Sequence, residues 1–290
     1  MMNYNLPSQI SLEQIELTIL DLERSVNFYT KVIGLQLRSQ NNRTATFGTE
    51  KVTLIKLSEN PDAQRISGTT GLYHFAILVP GRLNLAQALE RIIRNRVPVQ
   101  GFADHGVSEA IYLPDPDGNG IEITHDRPRD QWPFLDGKLQ MVTDPLDLDD
   151  LLSELRGHNS DPIKMPSETT IGHVHLHVRD IPESVHFYRE ILGFNLKQNY
   201  GPSAAFLAAG DYHHHVGVNT WAGAGVVPTP EESIGLRSFT VGLPTESDLK
   251  ALKIHILKTD IQIEELNQGF SVYDPSGNHL KFNCVDERTP

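Results

Sequence analysis

The stretch "GDYHHHVGVNTW" (210–221) sets His213, His214 and His215 side by side, three of the chain's 13 histidines. Imidazole changes charge near neutral pH and ligates transition metals through either ring nitrogen, so acid/base work or metal binding is the chemistry to weigh. A tag or a surface decoration would fit such a run at a chain end, but this one lies deep inside the sequence. Val216, Val218 and Trp221 continue it as a β-strand. Strand alternation sends His213 and His215 to one face and His214 to the other, so one face receives a single imidazole. His214 is therefore the candidate, and its two neighbours are read as non-site residues. His175 and His177 alternate with His173 along another strand, and His186 falls in a helix, which makes all three weaker candidates.

Composition narrows the partners. The 290 residues are 39% hydrophobic, with Leu, Ile and Val spread throughout, enough for sizeable cores and on length alone for two domains. No apolar run approaches the roughly 20 residues that span a bilayer, and "MMNYNLPSQISLEQ" lacks the basic and apolar regions of a signal peptide, so a cytoplasmic location is expected. The single cysteine, Cys284, excludes an internal disulfide and a thiolate metal cage. A net charge of −12 without a basic block argues against nucleic acid and anionic membrane surfaces. A small molecule is the partner these facts favour.

The elements that position the histidines repeat. "IELTILDLERSVNFYTKVIGLQL" (15–37) is echoed by "VHLHVRDIPESVHFYREILGFNL" (174–196): a strand, an acidic turn, a helix ending in Phe-Tyr, then Gly34 or Gly193 as its cap. "GLYHFAILVP" (71–80) is echoed by "GLRSFTVGLP" (235–244), and "YLPDPDGNGIEI" (112–123) by "YDPSGNHLKF" (273–282), strands around an Asp-Pro-x-Gly-Asn turn. In these alignments Gln14 faces His173, His74 faces Ser238, and Glu122 faces Lys281. The chain thus reads as an α+β protein of four βαβββ units. Residues 1–128 hold two of them (12–57 and 71–125) and residues 170–290 hold two (170–221 and 235–284). Residues 129–169 form a linker, rich in Pro, Asp and Gly and irregular apart from a short amphipathic helix over 146–157.

These recurring strings resemble the repeat of the vicinal oxygen chelate superfamily, which contains glyoxalase I, extradiol ring-cleaving dioxygenases and antibiotic-binding resistance proteins. The resemblance covers most of the chain. It implies units paired into two domains with curved, partly open mixed sheets around a metal, with ligands from the first and last strand of each unit. The candidate ligands are then Gln14 and Ile55 in unit one, His74 and Glu122 in unit two, His173 and the His213–His215 strand in unit three, and Ser238 and Lys281 in unit four. Pairing in chain order leaves His173 alone. Pairing unit two with unit three collects His74, Glu122 and His173 in one cavity, and this crossed pairing is the one expected. Two imidazoles and a carboxylate are the ligand set of mononuclear non-haem Fe(II) oxygenases, because three protein ligands leave adjacent positions open.

The stretch "DHGVSEAIYLPDPDGNGIEI" (104–123) is similar to the last part of extradiol dioxygenases, where a Tyr stands ten residues before the ligand Glu and a His shortly before the Tyr; Tyr112, Glu122 and His105 match, with the His closer to the Tyr than in familiar members. "HHVGV" (214–218) fits the family's pattern for a catalytic His, with His214 leading. The strings resemble most closely the catechol 2,3-dioxygenase-like proteins of Gram-positive bacteria, linked to catechol or quinone detoxification, although better-known members take their ligands from the last two units. The resemblance implies Fe(II), with Mn(II) as a substitute, held by His74, Glu122 and His173. The substrates would be a small aromatic diol and O2, opened outside the diol to a 2-hydroxymuconic semialdehyde. His214 would act as acid/base, and Tyr112 and His105 would hydrogen-bond the substrate oxygens. Two alternatives stay open: a glyoxalase-type lyase using Gln14, His74 and Glu122, and a metal-free binding protein in which the histidines are packing. Ring substituents, Fe against Mn and a homo-oligomeric state are not fixed by the sequence.

Overall fold

The structure is a computed structural model that describes residues 4–158 and 164–285. Each repeat folds as its pattern dictates. The first contains the strand Ser11–Ile19, the helix Leu22–Phe28 and the strands Gln36–Gln40, Thr44–Gly48 and Thr53–Glu59. The second contains Gly71–Leu78, the helix Arg82–Arg94, then Gly101–Asp104, Ser108–Pro114 and Gly120–Asp126. The third runs through Thr170–His177, the helix Ile181–His186, Asn195–Tyr200, Ala204–Ala208 and Val216–Asn219. Gly235–Leu243, the helix Glu246–Ile256, Glu264–Glu265, Phe270–Tyr273 and His279–Cys284 make the fourth. The sheets are mixed: within a repeat the later strands pair antiparallel, whereas the last strand lies parallel to the first, with Ala76 opposite Glu122 and Thr240 opposite Lys281.

The chain divides into two compact units, Leu17–Gln64 with His74–Gly172, and Met1–Glu16 with Arg65–Tyr73 and His173–Pro290. In each, the two echoes noticed in the sequence meet. The helix of the first repeat, capped by the Asp21 carboxylate accepting from Arg24 N, passes into a π-helical turn, Tyr29–Ile33, and stops at Gly34 with φ 87°. This winding buries Tyr29 fully and brings its hydroxyl to donate to Asp115 Oδ2 at 3.1 Å. Asp115 is itself the hub of the Asp-Pro-x-Gly-Asn turn, accepting from Asp117 N, Asn119 N and Asn119 Nδ2. The third and fourth repeats do the same with Tyr188 and Asp274, again at 3.1 Å. Burial, opposed by these hydrogen bonds, pushes both carboxyls up from the ordinary range, and burial beside a carboxylate pushes both phenols well up.

The linker is more ordered than its composition suggests. It holds a 3₁₀ turn, Arg129–Gln131, a small hairpin of Phe134–Leu135 with Lys138–Leu139, and a helix, Leu148–Ser153, shorter than the expected span and capped by Asp147. Arg82 fastens this segment: its guanidinium donates to buried Glu109 and to Asp150 and Glu154. The part of the linker at 159–163 lies outside the described residues.

Candidate metal centre

His74 stands on the first strand of the second repeat and Glu122 on the last, both buried. The parallel pairing of these strands brings His74 Nε2 to 3.0 Å from Glu122 Oε2. Tyr112 sits directly opposite Glu122 in the antiparallel register, and its ring centroid lies 5.5 Å from that of His74. The hairpin that ends at Tyr112 begins just after His105, whose Nε2 is 2.7 Å from the Tyr112 hydroxyl and whose Nδ1 is 2.7 Å from the Val142 carbonyl. A carbonyl only accepts, so Nδ1 carries the proton; Nε2 of the neutral ring then accepts from the tyrosine. Both nitrogens of His105 are thereby engaged within the protein.

His173 is buried on the first strand of the third repeat. His214 packs against it with ring centroids 4.1 Å apart and the planes tilted by 38°. Here the structure corrects the reading by strand alternation. The last strand of this repeat begins only at Val216, so residues 213 to 215 follow an irregular path. His213 and His214 do not point apart: their Nδ1 atoms lie 2.7 Å from each other, so one must donate and the other accept. His213 is fully buried, stacked near Tyr212, and belongs to this cluster although it was set aside in the sequence. His215 accepts at Nδ1 from Ala209 N, and its ring centroid lies 4.7 Å from that of Tyr212. Gly217, the small residue of the "HHVGV" pattern, also has a physical reason: a Cβ there would come within 2.9 Å of the His175 ring.

Among the described residues His74, Glu122 and His173 form a candidate metal-binding triad: each offers one ligand atom, the three atoms all lie within 4.8 Å of one another, and all three residues are buried. Such a set of two imidazoles and one carboxylate suits a divalent transition ion and leaves coordination positions for other ligands. Ile55 is a fully buried core residue with no ligand atom to give.

The chain belongs to the Glyoxalase/Bleomycin resistance protein/Dioxygenase superfamily, whose family model matches residues 11–123 and 170–282. Among curated relatives, the Catechol-2,3-dioxygenase of Bacillus subtilis (strain 168) is 44% identical over 273 residues, 92% of this chain and 95% of that protein. Solved structures share the fold at low identity. A Bacillus subtilis chain superposes with TM-score 0.65 at 14% identity, covering 98% of this chain and 87% of that one. Glyoxalase I of Zea mays gives 0.57 at 17%, covering 95% and 92%.

Proposed function

We propose that this protein is an extradiol ring-cleaving dioxygenase that opens catechol, or a closely related small aromatic diol, with O2 at an iron(II) ion held by His74, Glu122 and His173, giving a 2-hydroxymuconic semialdehyde. The observation that carries the reading is the buried two-histidine, one-carboxylate group, together with the catechol-2,3-dioxygenase name of a relative that matches nearly the whole chain. Its donor set fits a divalent transition ion: neutral nitrogens and one charge bind it, and three protein ligands leave room for two substrate oxygens and O2. The bound ion supplies Lewis acidity that eases loss of a phenolic proton near neutral pH.

The chain's own residues do the rest. Tyr112, its proton directed to His105 Nε2, presents lone pairs that accept from a substrate hydroxyl and hold the diol in register with Glu122 on the facing strand. His214, its ring centroid 4.1 Å from that of His173 and its Nδ1 hydrogen-bonded to His213, takes a proton from the diol and returns it during ring opening. Burial of His74, Glu122, His173, His213 and His214 keeps bulk water from competing for the open positions.

A glyoxalase-type lyase would require a further ligand at the place of Ile55, which offers none. The test is oxygen consumption by protein purified anaerobically and loaded with Fe(II), with catechol added and the yellow ring-opened product followed. Uptake with colour is expected. Bound metal with neither signal across a series of catechols would overturn the reading.

A further inference from the structure

The fourth repeat carries a second cavity of about 370 Å³, a volume suited to a small molecule. It is built on the same scaffold positions as the metal centre, with the ligands replaced. Ser238 stands where the second repeat has His74, and Lys281, opposite Thr240, stands where it has Glu122, opposite Ala76. The register of the two parallel strand pairs is identical, so the exchange is one of chemistry alone: an imidazole has become a hydroxyl and a carboxylate has become an ammonium.

What these residues face sets the ligand. Lys281 Nζ donates to Glu16 Oε1 at 2.6 Å, and both side chains are largely buried against the cavity. Glu231 and Arg237 line it as well, so two cations and two anions surround it and its formal charge is zero. Ser238 also lines it; the residue is 1% exposed and its buried Oγ has no hydrogen-bond partner. A buried hydroxyl left so is costly unless a bound group satisfies it. Tyr273 and His279, stacked with centroids 4.4 Å apart, add a flat wall.

We propose that this cavity is a metal-free binding site for a small zwitterion of α-amino-acid type. The carboxylate is received by Lys281 and Arg237, the ammonium by Glu16 and Glu231, and Ser238 bonds the carboxylate end. A ligand with one sign of charge would set that charge against two like charges of the protein, whereas a dipolar one complements both pairs. The site is independent of the dioxygenase reading and stands or falls without it.

The test is isothermal titration of the iron-loaded protein with L-phenylalanine, 3-phenylpropionate, phenethylamine and sorbitol. Saturable binding of L-phenylalanine is expected, with each analogue that lacks one charged group at least about tenfold weaker, the worth of one charge-assisted hydrogen bond. Ser238→Leu, which fills the cavity without removing a charge, abolishes the binding, and Lys281→Met weakens it by about tenfold or more. His74→Ala leaves it intact, which separates it from chelation at the metal. No saturable binding of L-phenylalanine, equal binding of either singly charged analogue, preference for sorbitol, or binding unaffected by Ser238→Leu overturns the proposal.

Discussion

At the scale of the residue, the account assigns different duties to groups of the same type. In the proposed function His74 and Glu122 would hold the ion, so His74→Ala and Glu122→Ala should each abolish stoichiometric iron, measured by elemental analysis of the purified protein. His214 is proposed to move a proton without ligating, so His214→Ala should keep iron and slow turnover by about 10²–10⁴-fold. In the same proposal His105 acts through Tyr112, its nitrogens being hydrogen-bonded to the Val142 carbonyl and the Tyr112 hydroxyl. Tyr112→Phe and the double variant with His105→Ala should therefore be equally slow, as groups acting as a unit do not add; a double variant markedly slower than Tyr112→Phe would place His105 on the substrate itself. Much of this was legible in the sequence, because Tyr112 and Glu122 keep a fixed spacing on the two strands of one hairpin. The partnership of His213 with His214 was not, because alternation holds only inside a strand, and the strand starts at Val216, past both residues.

At the scale of the element, the repeated Phe-Tyr and Asp-Pro-x-Gly-Asn strings were visible as punctuation, but not that they bond each other. That fact rests on the π-helical turns in which Tyr29 and Tyr188 sit, and no residue pattern announces such a turn. Tyr29→Phe leaves a buried carboxylate short of a donor and should cost about 1–3 kcal/mol in urea unfolding. Asp115 adds a pH dependence. Burial raises its folded-state value above that of the unfolded chain, so its protonated form contributes stability that is fully present below the ordinary carboxylate value and is lost as pH rises through the raised one. Asp115→Asn, which cannot ionise, should lose most against the parent near about pH 4 and recover part of that deficit toward about pH 7. A deficit constant over that interval would show that Asp115 titrates as in the unfolded chain. Order in the linker was likewise hidden, since Arg82 and Glu109, which fasten it to the second repeat, are far from it in sequence.

For the whole molecule, four copies of one βαβββ unit have been given different chemistry by a few substitutions. The second and third repeats carry the histidines and the glutamate, while the fourth carries a serine and a lysine at the equivalent positions. The fold follows from the repeats and is shared at low identity with glyoxalase I, so architecture alone does not choose between ring cleavage and a lyase reaction. No helix among the described residues is long and apolar enough to cross a membrane. The choice of reaction rests on the buried ligand group and its neighbours. It is tested most directly by turnover of catechol by the iron-loaded protein under ¹⁸O₂, with the product identified by mass spectrometry. The account predicts a ring opened beside the diol, a semialdehyde with heavy oxygen retained in its carboxylate. A product without label, or a dicarboxylate from cleavage between the two hydroxyls, would contradict it.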